Sequence, residues 1–244
     1  TDQVVLVVGS APSYAHGVID DIAALAALAQ AHGALMHVDA CVGGCVLPHL
    51  REIGVEVPPF DFTVEGVTSI SVDLHKYGFT AKGASVVIYR DKELRKHQLY
   101  ACSDWAGYTV INATFQSSKS AGPVAAAWAL MHFLGEEGYL GFARDMLDAT
   151  RTLTAGIKAI PGLRMVAEPD SNLLCFTSDD VNVFHISDEM RVRGWFVQPQ
   201  LEHVNSPPNL HLSLSPKAKA AAPKLLADLA ESVVAARALT ESGK

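Results

Sequence analysis

Short apolar runs that alternate with one amphipathic segment constrain the fold of this chain most strongly. Residues 4–8, 35–38, 69–72 and 85–89 have the length and β-branched content of strands, and residues 22–32 carry apolar side chains at helical spacing. Acidic residues at 20 and 21 suit a helix N-terminus, and a glycine at 33 suits its end. This alternation predicts an α/β layered domain with a largely parallel sheet.

The second half of the sequence indicates a smaller α+β domain. Its predicted elements are a helix from about 122, a break at 135–141, a helical continuation over 142–157, a strand at 173–177, a helix from Asn182 to 194, strands near 197 and 210–214, and a last helix at 223–239. We therefore expect residues 1–121 to belong to a large domain, 122–160 to an interdomain helical segment, and 161–244 to a small C-terminal domain.

Charge and hydropathy favour a small molecule as the binding partner. The 244 residues are 49% hydrophobic with a formal net charge of −7, so nucleic acid and anionic membranes would repel the chain. The longest apolar stretch, 124–134, is interrupted by His132 and is too short to span a bilayer. We expect neither a nucleic-acid partner nor a membrane segment in this sequence.

Four scattered cysteines indicate a reducing compartment. Cys41, Cys45, Cys102 and Cys175 occur in a chain large enough to fold without disulfides, which makes free thiols the expected state. A cytoplasmic location is the corresponding prediction.

Polar segments follow two predicted strands where open α/β sheets bind ligands. Lys76 comes shortly after 69–72, and desolvation there is expected to lower the pKa of its amine and make it nucleophilic towards an aldehyde such as pyridoxal 5′-phosphate (PLP). Asp39 follows 35–38 and suits the carboxylate that keeps the pyridine nitrogen of PLP protonated. A surface lysine at a turn and a helix-capping or solvated aspartate are the alternatives.

A metal site is not expected. His37 with Asp39 could form a metal pair, but neither Cys41 with Cys45 nor any histidine pair completes a ligand set at a recognised spacing.

A series of motifs in order gives the sequence a specific resemblance. The motifs are Gly9-Ser10-Ala11-Pro12, His16-Gly17, Asp21-Ile22, His37-Val38-Asp39-Ala40-Cys41, Gly66-Val67-Thr68-Ser69-Ile70-Ser71, Asp73, His75-Lys76-Tyr77-Gly78-Phe79, Lys82-Gly83, Tyr89-Arg90, Leu94-Arg95, His97-Gln98, Gly138-Tyr139 and Gly194-Trp195. The series resembles sphingosine-1-phosphate lyases and covers nearly the whole chain.

The resemblance implies a fold type I PLP-transferase-like α/β fold, with a mainly parallel sheet, helices on both faces and a smaller C-terminal α+β domain. It implies that Lys76 forms the Schiff base with PLP and that Asp39 contacts the pyridine nitrogen. His75 would help to hold the cofactor phosphate, and Ser10 would lie near the ring. A histidine satisfied by backbone and a simple turn hydroxyl are the alternatives for these last two.

The resemblance also implies a carbon–carbon lyase, which cleaves a phosphorylated sphingoid base or similar amino alcohol by retro-aldol chemistry to an aldehyde and phosphoethanolamine. Tyr14 and Lys82 are candidates for taking the hydroxyl proton or for anchoring the substrate phosphate. Tyr14 could instead be a packed aromatic residue, and Lys82 a solvated charge. The alternatives are a PLP-dependent amino-acid decarboxylase and a non-catalytic PLP-fold dimerisation module.

Two departures from the family pattern affect these expectations. The stretch 117–122 has Lys119 where the family usually has arginine, which replaces a bidentate donor by a point charge. The family's upstream phosphate loop and ring-stacking aromatic residue would both precede Thr1. We therefore expect the sequence to be a fragment of a longer homodimeric enzyme in which the neighbouring subunit borders the active site.

Overall fold

The computed structural model of the protein describes residues 3–114, 116 and 118–241. Ser117 of the predicted phosphate-recognition stretch lies outside these residues, as does Thr1. The helices and strands are, in chain order, β1 (Leu6–Ser10), α1 (Ile22–Ala31), β2 (Leu35–Asp39), α2 (Leu47–Glu52), β3 (Ser69–Val72), β4 (Val86–Tyr89), α3 (Lys92–Arg95), β5 (Tyr100–Cys102), β6 (Val110–Asn112), α4 (Gly122–Ala159), β7 (Leu163–Met165), β8 (Leu173–Ser178), α5 (Val183–Val192), β9 (Gln198–Gln200), β10 (Asn209–Ser213) and α6 (Ala218–Glu241).

The chain divides into two compact units that are not contiguous in sequence. The first unit contains the chain up to Ala11 with Asp20–Cys45 and Pro58–Gly135, and the second contains Pro12–Ile19, Val46–Val57 and the chain from Glu136 onward. The predicted domain boundaries at 121/122 and 160/161 stay predictions.

The first unit contains a four-stranded sheet in the order β1-β2-β3-β4. The first three strands are parallel and β4 is antiparallel to β3. Ser10 pairs with Asp39, and Asp39 with Ser71, so the carboxyl ends of three neighbouring strands lie at one edge. The largely parallel sheet confirms the α/β prediction.

Helix α1 packs on β1 and β2 and begins as the sequence predicts. The Asp21 carboxylate accepts a hydrogen bond from the backbone N–H of Ala24 at 3.0 Å and caps the helix, whose buried face contains Ile22 and Ala26. Asp20 instead accepts a 2.7 Å hydrogen bond from the backbone N–H of Ser10. The carboxylate of Asp20 thus ties the end of β1 to the start of the helix.

Strand β1 lies two residues later than the predicted run 4–8. Its ladder with β2 extends through Gly9 to Ser10, because backbone hydrogen bonds do not require apolar side chains. Val5 precedes the ladder and is 76% exposed.

The second unit contains an antiparallel sheet in the order β7-β8-β10-β9. Asn182 caps α5 through a 2.9 Å hydrogen bond from Phe184 N–H, as predicted, and α5 packs against α6. Helix α6 begins at Ala218, before the predicted start at Pro223, and continues through the proline, whose missing N–H removes one intrahelical hydrogen bond. The core includes fully buried side chains from α4, both central strands and both later helices: Leu153, Ile157, Leu174, Phe176, Ile186, Met190, Leu210 and Leu229.

The predicted helix break at 135–141 is present at Gly135 but does not extend to Gly141. Gly135 has a φ of 59° and kinks the helix, but α4 continues from there through Gly138 and Gly141. Tyr139, Leu140 and Ala143 are buried, so packing outweighs the low helix propensity of the glycines.

No helix among the described residues has the length and apolar content needed to cross a bilayer. The four cysteines, all of which lie in the described ranges, form no disulfide.

Candidate active site

Lys76 lies in a tight turn directly after β3. Its backbone N–H donates to the carbonyl of Asp73 at 3.1 Å, and its own carbonyl accepts from the N–H of Phe79 at 3.1 Å. A Cβ on Gly78 would stand 2.5 Å from the carbonyl oxygen of Leu74, so only glycine fits the turn as it stands. About one third of the Lys76 side chain is exposed, which leaves the amine accessible.

The ammonium group of Lys76 has two close partners. Its Nζ lies 3.0 Å from Oδ2 of Asp73 and 2.9 Å from Sγ of Cys41. Partial burial acts to lower the pKa of Lys76, but hydrogen bonds to Cys41 and Asp73 outweigh it and raise the pKa above its ordinary value. The predicted lowering of this pKa is therefore wrong, because the turn brings a carboxylate to the amine.

The Asp73 carboxylate is held on more than one side. The hydroxyl of Ser85 donates to Oδ1, and Nε2 of His75 lies 3.8 Å from Oδ2. Burial acts to raise the pKa of Asp73, but the hydrogen bonds from Ser85 and Lys76 lower it overall. Asp73 is therefore anionic at neutral pH and carries the negative charge of the pair with Lys76.

Cys41 lies between the candidate amine and the candidate ring-binding carboxylate. Burial raises the pKa of its thiol, so the group stays protonated at neutral pH. Its backbone N–H donates to Oδ1 of Asp39 at 3.0 Å, while its sulfur contacts Lys76. Cys41 thus connects Asp39, at the end of β2, with Lys76, in the turn after β3.

Asp39 ends β2 and is kept ionised by hydrogen bonds. Besides the N–H of Cys41, the hydroxyl of Ser71 donates to its Oδ1 at 3.1 Å. Burial acts to raise the pKa of Asp39, but these hydrogen bonds and the positive charge of Lys76 lower it overall. A carboxylate fixed in its anionic form suits a partner that must remain cationic.

His37 supports the same group from the face of β2. Its Nδ1 lies 2.8 Å from the hydroxyl of Ser69, and its Nε2 lies 3.2 Å from that of Ser71. Burial lowers the pKa of His37, so the ring is neutral at neutral pH. Because Ser71 gives its proton to Asp39, it must accept from Nε2–H of His37, which fixes the tautomer. The hydrogen bonds therefore run in one direction, from His37 through Ser71 to Oδ1 of Asp39.

His75 and Ser10, predicted near the cofactor, both lie in the first unit. The carbonyl of Ala84 accepts from Nδ1–H of His75 at 2.8 Å and from its backbone N–H at 3.0 Å. This orients the ring and leaves Nε2 for another partner. Ser10 is the last residue of β1, beside Asp39 in the ladder, and its hydroxyl has no hydrogen-bond partner in the described ranges.

Lys82 and Tyr14 lie in different units. Lys82 belongs to the first unit and is exposed, with no ion pair among the described residues. Tyr14 belongs to the second unit, where its hydroxyl donates to Oε1 of Gln198 at 3.1 Å and its ring meets the edge of His211 with centroids 4.6 Å apart. Their roles as candidate catalytic residues stay predictions.

Sequence reasoning missed the residues that support the two candidates. Asp73 and Cys41 were recognised only as parts of motifs, and Ser85 was not singled out. One signal was available: Ser69 and Ser71 are two residues apart in β3, so their side chains lie on the same face of the strand. Asp73, three residues before Lys76, is also at the spacing of one turn.

Comparison with known proteins identifies close relatives. Residues 2–179 match the pyridoxal-dependent decarboxylase conserved domain. The chain is 41% identical over 234 residues to a sphingosine-1-phosphate lyase of Arabidopsis thaliana, covering 96% of this chain and 42% of that protein. It is 34% identical over 197 residues to an L-aspartate decarboxylase of Thermococcus kodakarensis, covering 81% of this chain and 51% of that protein.

A solved structure shares the fold over almost the whole chain. The sphingosine-1-phosphate lyase of Burkholderia pseudomallei superposes with a TM-score of 0.89 at 38% identity, covering 98% of this chain and 54% of that one. The predicted fold type I PLP-transferase-like class is confirmed. The chain spans about half the length of the relatives that it matches.

Proposed function

The chain belongs to the pyridoxal-dependent decarboxylase family, and on that premise we propose that it carries the lysine-bearing part of a carbon–carbon lyase active site. The substrate is a phosphorylated sphingoid base or a similar phosphorylated amino alcohol, and the products are an aldehyde and phosphoethanolamine. The likeness to sphingosine-1-phosphate lyases from Arabidopsis thaliana and Burkholderia pseudomallei supports this choice of substrate class.

The observation that carries the proposal is the arrangement of Lys76 and Asp39. They follow neighbouring parallel strands, and Cys41 contacts both through its sulfur and its backbone N–H. The residues present fit PLP, since an accessible primary amine and a carboxylate that is anionic at neutral pH are the two groups that its aldehyde and its ring nitrogen require. When bound, PLP supplies the electron sink that allows a bond next to the substrate nitrogen to break.

Four side chains of the first unit have a task in this mechanism. Asp39, kept ionised by Ser71 and the N–H of Cys41, pairs with the protonated ring nitrogen. Lys76 provides the amine that binds the cofactor aldehyde covalently. His75, whose ring is oriented by the carbonyl of Ala84, would help to hold the cofactor phosphate, and the Ser10 hydroxyl would contact the cofactor ring.

Lys82 and Tyr14 act on the substrate. The exposed ammonium group of Lys82 has no competing carboxylate among the described residues and can bind the substrate phosphate. The oxygen of Tyr14 donates its hydrogen to Gln198, which leaves lone pairs that can hold the proton of the substrate hydroxyl in place. Retro-aldol cleavage requires that this hydroxyl lose its proton.

The second candidate function is amino-acid decarboxylation. The 34% identity with an L-aspartate decarboxylase favours it, because the same lysine and carboxylate can serve either bond cleavage. A non-catalytic dimerisation module is the third candidate. The hydrogen bonds that keep Asp39 ionised argue against it, because a site without a cofactor has no need of a fixed anion.

The assembly and location are also part of the proposal. A homodimer is supported by exposed aromatic and aliphatic residues on and between β5 and β6, where Tyr100, Tyr108 and Ile111 are 64%, 79% and 70% exposed. Four cysteines without a disulfide are compatible with a reducing, cytoplasmic location.

The test uses the full-length protein. Incubation with PLP, reduction with borohydride and peptide mass spectrometry should place a phosphopyridoxyl group on Lys76, and an adduct confined to another lysine would contradict the site. A phosphorylated sphingoid base should then yield aldehyde and phosphoethanolamine. Release of CO2 from amino acids without aldehyde formation would favour the decarboxylase instead.

A further inference from the structure

Asp73, rather than Asp39, is the carboxylate that pairs with the ammonium group of Lys76. The distance from Asp73 Oδ2 to Lys76 Nζ is 3.0 Å. The hydrogen bonds to Asp39, by contrast, come from Ser71 and the backbone of Cys41. The two carboxylates at the ends of β2 and β3 therefore serve different partners.

Asp73 is itself anchored on two sides. Ser85, the residue before β4, donates its hydroxyl proton to Oδ1, and the backbone N–H of Asp73 donates to the carbonyl of Cys41 at 3.3 Å. Only 16% of the Asp73 side chain is exposed. A carboxylate held by neighbouring segments gives the flexible lysine chain a fixed partner.

We propose that Asp73 is a positioning residue for Lys76, which holds Nζ in place for the cofactor aldehyde and sets the pH range in which the amine can react with it. This inference rests on the proposed function, because it assumes that Lys76 is the lysine that binds PLP. It adds a role for a residue that does not itself touch the reacting carbon.

Asp73 affects two steps in the reaction of the Lys76 amine with the cofactor aldehyde. The ammonium group must first release a proton to solvent, since only the neutral amine has a lone pair. That lone pair attacks the aldehyde carbon, a carbon–nitrogen double bond replaces the carbon–oxygen double bond, and the oxygen leaves as water. A carboxylate beside Nζ stabilises the ammonium form, so it opposes the first step while it orders the nitrogen for the second.

Among the described residues, a small set of charged and titratable groups surrounds Nζ. Asp73 and Cys41 contact it, Asp39 acts through its charge, and His75 and Cys45 lie near Asp73. Cys41 is a neutral thiol at neutral pH because burial raises its pKa. Removal of the Asp73 charge should therefore leave Asp39 as the main remaining anion.

The experiment measures covalent attachment of PLP to the full-length apoprotein in stopped-flow pH jumps, followed by the visible absorbance of the bound cofactor. In Asp73→Asn the midpoint of the pH–rate profile should move to lower pH. The rate at neutral pH, as a fraction of the high-pH plateau, should rise roughly twofold to fivefold. The plateau itself should fall roughly two- to tenfold, because the amine is less ordered.

Two further variants distinguish the effect of the Asp73 charge from a structural effect of the substitution. Asp73→Glu keeps the charge, so its midpoint should stay near that of the unaltered protein while its plateau falls. Glu93→Gln removes one negative charge from an exposed pair with Lys96 and should change neither quantity. A structural defect in Asp73→Asn would lower the plateau without moving the midpoint.

The outcomes distinguish this inference from the function on which it rests. If borohydride places the adduct on Lys76 in both proteins but the midpoint of Asp73→Asn is unmoved or rises, the role of Asp73 is overturned and the proposed site stands. If the adduct forms on another lysine in the unaltered protein, the proposed site itself fails.

Discussion

The hydroxyl of Ser71 donates a 3.1 Å hydrogen bond to Oδ1 of Asp39 across the parallel pair β2 and β3. Asp39 and Ser71 stand opposite each other in the ladder, and His37 supports the serine from the same strand as the aspartate. The charge state of Asp39 thus depends on a neighbouring strand as well as on its own.

Replacement of Ser71 by alanine should weaken cofactor binding most at low pH. The folded state keeps the pKa of Asp39 below its ordinary value, and loss of the Ser71 hydrogen bond raises it again. In an acid titration, Asp39 of the variant therefore takes up a proton at a higher pH than Asp39 of the unaltered protein. Protonated Asp39 no longer pairs with the ring nitrogen. The acid limb of PLP affinity, measured by absorbance titration, should shift upward, with affinity roughly three- to tenfold weaker at the foot of the profile.

Ser69→Ala is the matched control for this change. Ser69 lies on the same strand and bonds to His37, with no bond to Asp39. An equal shift of the acid limb in both variants would show that His37, and not the direct bond to Asp39, controls the carboxylate.

Gly78→Ala should disturb the turn that carries Lys76. The new Cβ would stand 2.5 Å from the carbonyl oxygen and 2.9 Å from Cα of Leu74, so the backbone must move. The dissociation constant of PLP, measured by dialysis and absorbance, should rise roughly tenfold. Gly141→Ala has no atom within 4 Å of its new Cβ and lies within α4, so it should raise stability by about 0.5–1 kcal/mol and leave PLP affinity unchanged.

Stability should fall as the pH drops through the range in which unfolded histidine takes up a proton. His211 is 2% exposed, and burial lowers its pKa, although hydrogen bonds to the carbonyls of Ala15 and Leu174 act in the opposite direction. Below about pH 6.5 the unfolded chain therefore binds a proton that folded His211 rejects, and unfolding becomes easier.

The measurement is the Tm of full-length protein between about pH 7.5 and about pH 5.5. His211→Gln keeps an amide donor but cannot titrate, so its Tm should depend less on pH than that of the unaltered protein. The exposed His97, changed to glutamine, provides the control, and an unchanged slope in His211→Gln would contradict the argument.

Leu229→Ala should reveal how much the second unit depends on its core. Leu229 is fully buried in the cluster under α6, and the cavity left by alanine should cost about 2–5 kcal/mol of unfolding free energy. Val234, on the same helix, is 71% exposed, so Val234→Ala should change stability by less than about 0.5 kcal/mol. Denaturant unfolding of the full-length variants distinguishes the two.

The parts of the fold that the sequence predicts well are those with strong local signals. Strand β3 has the predicted bounds, α1 begins directly after the predicted acidic pair Asp20 and Asp21, and α5 begins after the predicted cap Asn182. The short helix α2 and the hairpin of β5 and β6 were not predicted, because three to six residues carry too little periodicity. The helix break predicted over 135–141 occurs at Gly135, whereas burial of Tyr139 and Leu140 keeps the rest of that range helical.

The candidate site was predictable in its two main groups and not in its electrostatics. Lys76 and Asp39 were recognisable because each follows a strand and matches a family motif. The raised pKa of Lys76 was not, because it depends on a turn that directs Asp73 and Cys41 towards the same nitrogen. Sequence order gives the members of such a cluster but not the direction in which each side chain points.

The pairing of Asp39 with Ser71 makes the site sensitive to a displacement that ordinary measures of folding would miss. Slippage of β3 by one position would turn Ser71 to the opposite face and offer Asp39 an aliphatic side chain, Ile70 or Val72. Circular dichroism in the far ultraviolet would barely change, yet the aspartate would lose its hydroxyl donor. Cofactor retention is thus a finer gauge of correct strand alignment in this protein than its secondary-structure content.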